Sequence, residues 1–202
     1  MGSLLPLFPL ELVLLPGMLQ PLHIFEPRYK QMIGECLAEK SQFGIVRLKE
    51  DGIAEVGCTA EILEVVKTYP DGRMDIVSQG RERFQVTGVH QDMPYLRAEV
   101  QILPDAPGRP AAGEAAQAVK LHADILALAG DTTEALDPQD AHLSFHLAGS
   151  LPLDLDFKQM LLSTASEAKR IQVVIAYFEA ILPKLRRSVE VRRKAGGNGH
   201  AH

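Results

Sequence analysis

The sequence predicts an α+β fold, with a β-rich half followed by a helical half. Three observations predict it. Short apolar runs broken by turn signals fill residues 1–104. A proline- and glycine-containing stretch, Asp-Ala-Pro-Gly-Arg-Pro-Ala-Ala, occupies 105–112 and reads as a linker. From 113 to 194 the apolar period changes to 3.6, as a helical subdomain requires. The last residues, 195–202, read as a disordered tail.

In the first half, Leu10 to Leu15 is an apolar run closed by Pro16-Gly17, and Leu19 to Phe25 is the next. Pro27 suits the first position of a helix, where its missing N–H costs nothing. Tyr29, Met32, Ile33, Cys36 and Leu37 then form one stripe at helical spacing. Strands are expected at Phe43 to Leu48 and at Cys58 to Tyr69. The second ends at Pro70-Asp71-Gly72, a tight-hairpin signal. Met74 to Ser78 and Arg83 to Val89 read as two further strands. Leu96, Ala98, Val100 and Ile102 alternate with polar residues, as in a strand with one wet face. Such closely spaced strands form a barrel or a compact sandwich with one inserted helix.

In the second half, Ala118, Leu121, Ile125 and Leu128 make a helical stripe, and Gly130 is placed to end it. Asp137-Pro138 reads as a helix start, with Leu143, Leu147 and Leu151 on its buried face and Pro152 as its stop. Asp154 and Asp156 mark a turn and the cap of a helix beginning near Phe157. Thr164 and Glu167 have capping-box spacing ahead of the stripe Ile171, Val174, Ile175, Phe178, Leu182 and Leu185. Pro183 is expected to kink or end that helix.

The composition narrows the function. With 46% hydrophobic and 23% charged residues, the 202-residue chain suits a globular protein. A net charge of −5 lacks the footprint of a nucleic-acid binder. The apolar start, Leu4 to Leu22, has no basic residue before it and is broken by four prolines, so neither a signal peptide nor a membrane span is expected. A cytoplasmic protein follows. Cys36 and Cys58 are expected to be small buried hydrophobes, consistent with a reducing compartment.

Catalytic signatures are missing. The sequence has no P-loop, dinucleotide fingerprint or nucleophile elbow. His142 and His146 have metal-ligand spacing, but Leu143 stands where a zincin needs its glutamate, so no metal site is assigned. His200 and His202 in the tail receive no function. The cluster Lys184, Arg186, Arg187, Arg192, Arg193 and Lys194 reads as a solvated helix end, with a nucleic-acid or acidic-membrane contact as its sharper alternative.

A family resemblance is carried by Leu7-Phe8-Pro9-Leu10, Leu15-Pro16-Gly17-Met18 and Pro21-Leu22-His23-Ile24-Phe25-Glu26-Pro27-Arg28-Tyr29. It continues through Phe43-Gly44-Ile45-Val46, Val56-Gly57-Cys58-Thr59-Ala60-Glu61-Ile62, Pro70-Asp71-Gly72-Arg73 and Gly80-Arg81-Glu82-Arg83-Phe84. In the helical half it runs through Leu147-Ala148, Leu151-Pro152-Leu153, Lys158-Gln159 and Leu161-Leu162. In order and spacing these segments resemble the N-terminal domain of Lon protease, most of all its free-standing bacterial versions. The resemblance implies a PUA-like pseudo-barrel followed by a helical subdomain. It also implies a non-catalytic module, lacking the ATPase and serine–lysine peptidase domains, that binds protein substrates in quality control.

The expected partners are unfolded or apolar polypeptide segments and a protease, with no cofactor, metal or membrane. Tyr69, Met74, Met93 and Tyr95 flank expected turns and are candidates to line an apolar strip for a peptide. Arg28 is a further candidate, weighed against an ion pair with Glu26. Gly17, Gly57, Gly72 and Gly80 are expected at turns or close packing. The rival functional classes are an RNA-binding PUA-like protein and a small metal-dependent hydrolase.

Overall fold

In the computed structural model, which describes residues 4–131 and 136–197, side chains are described as far as Val191. The described residues form seven strands and five helices. They are β1 (Leu5–Leu10), β2 (Leu19–Ile24), α1 (Pro27–Glu39), β3 (Phe43–Lys49), β4 (Gly52–Ile53), β5 (Val56–Thr68), β6 (Met74–His90) and β7 (Leu96–Ile102), then α2 (Ala112–Leu128), α3 (Leu143–Gly149), α4 (Leu155–Ser163) and α5 (Glu167–Gly197).

The chain divides into two compact units, and the division is not linear. The first comprises Met1–Asp105 and Pro152–Ala165; the second comprises Ala106–Leu151 and Ser166–His202. Helix α4 therefore belongs with the strands, whereas the sequence grouped it with the helices after residue 113. Hydrophobic period reports that a segment is helical but not what it packs against.

In the first unit the strands close an irregular ring. The antiparallel path runs β1-β7-β6-β5-β3, and a parallel pairing of β3 with β1 (Leu7 opposite Gly44) completes it. Strand β4 extends β3, and β2 pairs only with the first half of β6, from Met74 to Gln79. Leu7, Val46, Phe84 and Ala98 make a fully buried cluster, flanked by Leu5, Ile53, Val86, Leu96 and Val100. Helix α1 begins at Pro27 and buries Tyr29, Met32, Ile33 and Cys36. Phe8 lies 4.1 Å from Tyr29, ring centre to ring centre. Leu37, expected in that stripe, is exposed at its edge.

Two expected strands are corrected. Leu10 to Leu15 is not one: β1 lies earlier, and Val13, Leu14 and Leu15 are buried in irregular backbone. An unbroken apolar run carries no alternation, so its pattern cannot separate strand from buried coil. Met74 to Ser78 and Arg83 to Val89 are one 17-residue strand, β6. Gly80 does not turn the chain. It lets Leu15 approach so closely that an added Cβ would sit 2.3 Å from the Leu15 carbonyl oxygen. The Gly80 N–H donates to Met18, and the Gly17 N–H donates to the Gly80 carbonyl. Gly17 and Gly72 sit at positive φ in turns, while Gly57 faces Phe84 and the Ile45 carbonyl at under 3 Å from where its Cβ would be.

In the second unit, α2 buries Ala115, Ala118, Val119, His122 and Ile125 and packs on α5, which buries Ile171, Val174, Phe178 and Leu182. Gly130 ends α2 at φ 78°: its N–H donates to Ala127 and that of Asp131 to Leu126, the paired bonds of a Schellman motif. Asp154 caps α4, accepting from the Asp156 and Phe157 N–H groups.

Three other expected boundaries move. Helix α3 starts at Leu143 rather than beside Asp137, because Asp137 and Asp140 accept backbone N–H groups of the turns before it. The Thr164 hydroxyl donates back to Met160, so it closes α4, and Ser166 receives the Lys169 N–H at the start of α5. Glu167 is buried instead, accepting from the Ser144 N–H and hydroxyl and from Arg170, whose guanidinium also lies 4.1 Å from the Phe145 ring centre. Pro183 lies inside α5 and does not end it. The tail expected from 195 begins inside α5, and residues 198–202, with His200 and His202, lie outside the described residues.

Gly80→Ala should lower the unfolding free energy by about 1–3 kcal/mol, the usual cost of overpacking. Gly34→Ala, on the exposed side of α1 with nothing within 4 Å, should raise it by about 0.5–1 kcal/mol. Urea denaturation of the two variants checks both signs.

Candidate functional site

A candidate in the first unit is a cleft of about 530 Å³ between α1 and the β1, β6 and β7 strands. Its apolar wall comes from Leu4, Leu5 and Pro6, with Met93, Val100 and Ile102. Ile102, at the end of β7, is 41% exposed. Its polar lining comes from Glu35 and Glu39 on α1, Ser41 and Gln42 just before β3, Thr59 on β5, Glu82 on β6, and Tyr95 and Arg97 beside and in β7.

The α1 geometry places Glu35 and Glu39 one turn apart on the face beside Cys36. Tyr95 is nearly buried, and its hydroxyl donates to Glu35 Oε2. Gln31 Nε2 donates to the other carboxylate oxygen at 2.9 Å. These two donors, Tyr95 first, hold the Glu35 carboxyl below the usual range. Burial, then the bond to Glu35, pushes the Tyr95 hydroxyl up. Arg97 lines the cleft and is held by Asp92 through Nε and Nη2. Cys36 lines the cleft as an apolar neighbour, its thiol raised by burial, and Cys58 is buried and pushed up to about 12 by the same effect.

The five candidate residues fall in two places. Met93 and Tyr95 both line the cleft. Tyr69 and Met74 do not; they lie where the β5–β6 hairpin meets β2, with Met74 opposite Ile24 and Thr68. There the Tyr69 hydroxyl donates to Asp75 Oδ2 at 2.8 Å, and His23 Nδ1 lies 2.5 Å from Asp75 Oδ1. Lys67 and Arg73 flank the Tyr69 ring at 4.4 and 4.9 Å. His23 first, then Tyr69, lowers the Asp75 carboxyl. Cations and an ion pair occupy the tyrosine face, so this corner is a charged surface and not an apolar strip. Arg28 donates to Glu26 at 2.8 Å and lies 4.6 Å from the Tyr29 ring centre, so it makes the ion pair weighed for it.

Beside the cleft, β5 offers an open edge. Strand β3 pairs with it only from Cys58 to Ala60, and β6 lines its other side as far as Thr68. Among the described residues no strand covers the outer edge beyond Ala60, where Leu63, Val65 and Val66 are exposed.

The remaining sequence candidates are accounted for locally. His146 Nδ1 pairs with Asp140, and His142 stacks on Phe145. Among the described residues no three His, Cys, Asp or Glu side chains cluster as metal ligands, and no helix is long and apolar enough to cross a membrane. In the basic cluster, Arg186 pairs with Asp124, Lys184 and Arg187 are exposed, and the side chains of Arg192, Arg193 and Lys194 lie outside the described residues. Sequence reasoning missed Glu35, Arg97, Val100 and Ile102. Strand alternation had placed Val100 and Ile102 on one face but could not say that a cleft opens there.

Residues 4–179 match the family model described as the ATP-dependent protease La (LON) substrate-binding domain. Among curated relatives, the Lon protease of Parabacteroides distasonis is 32% identical over 113 residues, which is 52% of this chain and 14% of that protein. The Lon protease of Paraburkholderia phytofirmans is 26% identical over 201 residues, 92% of this chain and 25% of that protein. The chain thus spans a quarter of these relatives' length or less. Among solved structures, a Lon N-terminal domain protein from Xanthomonas campestris aligns with TM-score 0.72 and 27% identity, over 87% of this chain and 99% of that one. The N-terminal domain of a Mycobacterium avium complex Lon protease aligns with TM-score 0.70 and 22% identity, over 88% of this chain and 98% of that one, a likeness of fold.

Tyr95→Phe removes the main donor to Glu35. The Glu35 carboxyl should then titrate closer to the ordinary glutamate value near 4.5. Because a lowered carboxyl stabilises the fold above its unfolded pKa and loses that contribution as pH falls through the folded one, the variant should also lose less stability on acidification. Side-chain carboxyl NMR titration checks the shift.

Proposed function

The chain belongs to the Lon protease substrate-binding domain family, and from that premise we propose that it is a non-catalytic module that holds unfolded or apolar polypeptide segments. The cleft carries the reading. It sets an apolar wall of Leu5, Pro6, Met93, Val100 and Ile102 beside polar side chains in one concave surface, which suits a segment carrying both apolar and polar groups. Two of its ionisable groups are tied up: Glu35 accepts from Tyr95 and Gln31, and Arg97 is held by Asp92. None is poised as a base beside a nucleophile, which is what acid–base or covalent catalysis needs.

Met93 and Tyr95 are the cleft residues we assign to peptide contact. Tyr69, Met74 and Arg28 stand apart from it, and we assign them no part in holding the apolar segment. The open β5 edge supplies unpaired backbone groups, which an extended chain satisfies by adding a strand. We place the module in cytoplasmic protein quality control, delivering segments to a protease; two buried thiols with no disulfide suit that compartment.

A labelled, permanently unfolded protein, reduced and carboxymethylated, should bind with a midpoint in the micromolar range, about 1–100 µM, the ordinary scale for weak transient recognition. The same protein in its native disulfide-bonded form should not bind. Truncating the apolar wall in Met93→Ala/Ile102→Ala should weaken binding about tenfold while leaving the unfolding midpoint nearly unchanged, because both side chains are partly exposed. Fluorescence anisotropy checks both. Equal binding of native and unfolded forms would overturn the reading.

A further inference from the structure

We infer that the cleft selects polypeptide segments in which a lysine or arginine is set among apolar residues. This rests on the polypeptide-binding reading and goes beyond it by stating what the segment must contain. The argument is charge complementarity around an apolar wall.

Three carboxylates line the cleft, from Glu35, Glu39 and Glu82, against one cation, Arg97. Arg97 is already neutralised by the two-pronged contact with Asp92, so the cleft presents net negative charge. Glu35 is held ionised by Tyr95 and Gln31. Glu39 and Glu82 are exposed, and among the described residues neither side chain has an ion-pair partner. The two arginines flanking Glu82 in the chain are committed elsewhere, Arg81 to Glu61 and Arg83 to Asp105.

Glu39 stands at an unfavourable place. It is the last residue of α1, where the unpaired carbonyls carry partial negative charge and where a basic residue is normally favoured. The last turn of α1 holds no basic residue, and the adjacent Lys40, in the left-handed conformation, lines the adjoining depression with Glu61 and not the cleft itself. A cation entering the cleft would meet Glu39, the helix end and Glu82 together. Apolar side chains beside it would meet Leu5, Pro6, Met93, Val100 and Ile102. The long methylene stems of lysine and arginine suit such a site, since they cover apolar surface while the charge reaches the rim.

The test uses the whole chain and three fluorescein-labelled decapeptides of leucine, valine and serine. They differ only at two central positions, which are lysine, glutamine or glutamate. At low salt, about 50 mM, the lysine peptide should bind about fivefold more tightly than the glutamine peptide and the glutamate peptide more weakly still, and the spread should shrink as salt screens exposed charges. In Glu39→Gln/Glu82→Gln the preference should disappear while the glutamine peptide keeps its affinity. Both side chains are exposed, so the variant should retain its unfolding midpoint.

Equal binding of all three peptides would overturn the inference and leave the polypeptide-binding reading intact. A lysine preference that survives in the double variant would overturn the assignment to this cleft. Binding of none, with the unfolded carboxymethylated protein also unbound, would overturn inference and reading together.

Discussion

The first unit depends on one buried guanidinium. Arg83 lies 3% exposed within β6 and reaches two separate stretches of chain. It donates to the Asp105 carboxylate, to the Pro104 carbonyl and, through Nη1, to the Leu162 carbonyl at 3.0 Å. Those partners mark where the chain leaves the first unit, after Asp105, and the helix formed once it has returned. A charge removed from water costs several kcal/mol unless it is paired and fully hydrogen-bonded, so the strand, the exit segment and α4 are constrained together. Arg47 paired with Asp156, and Gln159 donating to the Val56 carbonyl, hold α4 against the strands at two further points.

The ring around Arg83 closes at a cost that only glycine relieves. Phe84, the next residue, is fully buried and points where Gly44 and Gly57 leave room; an added Cβ at either would stand under 3 Å from its ring. Gly80 plays the same part for Leu15. Close packing of one large aromatic therefore requires two glycines on neighbouring strands, and the sequence Gly80-Arg81-Glu82-Arg83-Phe84 concentrates the close approach, the buried ion pair and the core aromatic in five residues. Glu82, between the two arginines, is the one that turns outward to the cleft.

Much of this was legible in the sequence because local rules acted alone there. Pro27 opened α1, Gly130 closed α2, Asp154 capped α4, and the alternation from Leu96 to Ile102 marked β7. Each of these signals is satisfied within a few residues. Where tertiary contacts decided, the sequence was silent or misleading. Thr164 and Glu167 have capping-box spacing, but Glu167 is drawn into a buried pair with Arg170 and Ser144, a bond set by packing rather than by spacing. Gly80 was expected at a turn or in close packing, and only the approach of Leu15 decides for packing. Pro183 was expected to kink or end α5, and the helix does not end there. For the candidate site, the same turn-flanking rule chose Met93 and Tyr95, which line the cleft, and Tyr69 and Met74, whose surroundings are charged.

The difference between those two places explains how a cleft can stay open in a folded protein. At the hairpin, Asp75 is satisfied by His23 and Tyr69, and the tyrosine ring is covered by Lys67 and Arg73. Every strong group there has a partner from the chain itself, so little remains to offer a ligand. In the cleft the balance is left incomplete. Tyr95 fixes one carboxylate, Asp92 takes the only cation, and two more carboxylates face an apolar wall with nothing of opposite charge supplied by the described residues. A core could not tolerate that arrangement, since unpaired charge and bare apolar surface are both unfavourable in their wrong setting. At the surface it persists, because water solvates the carboxylates, and under the proposed function an incoming chain would satisfy the wall and the charge at once.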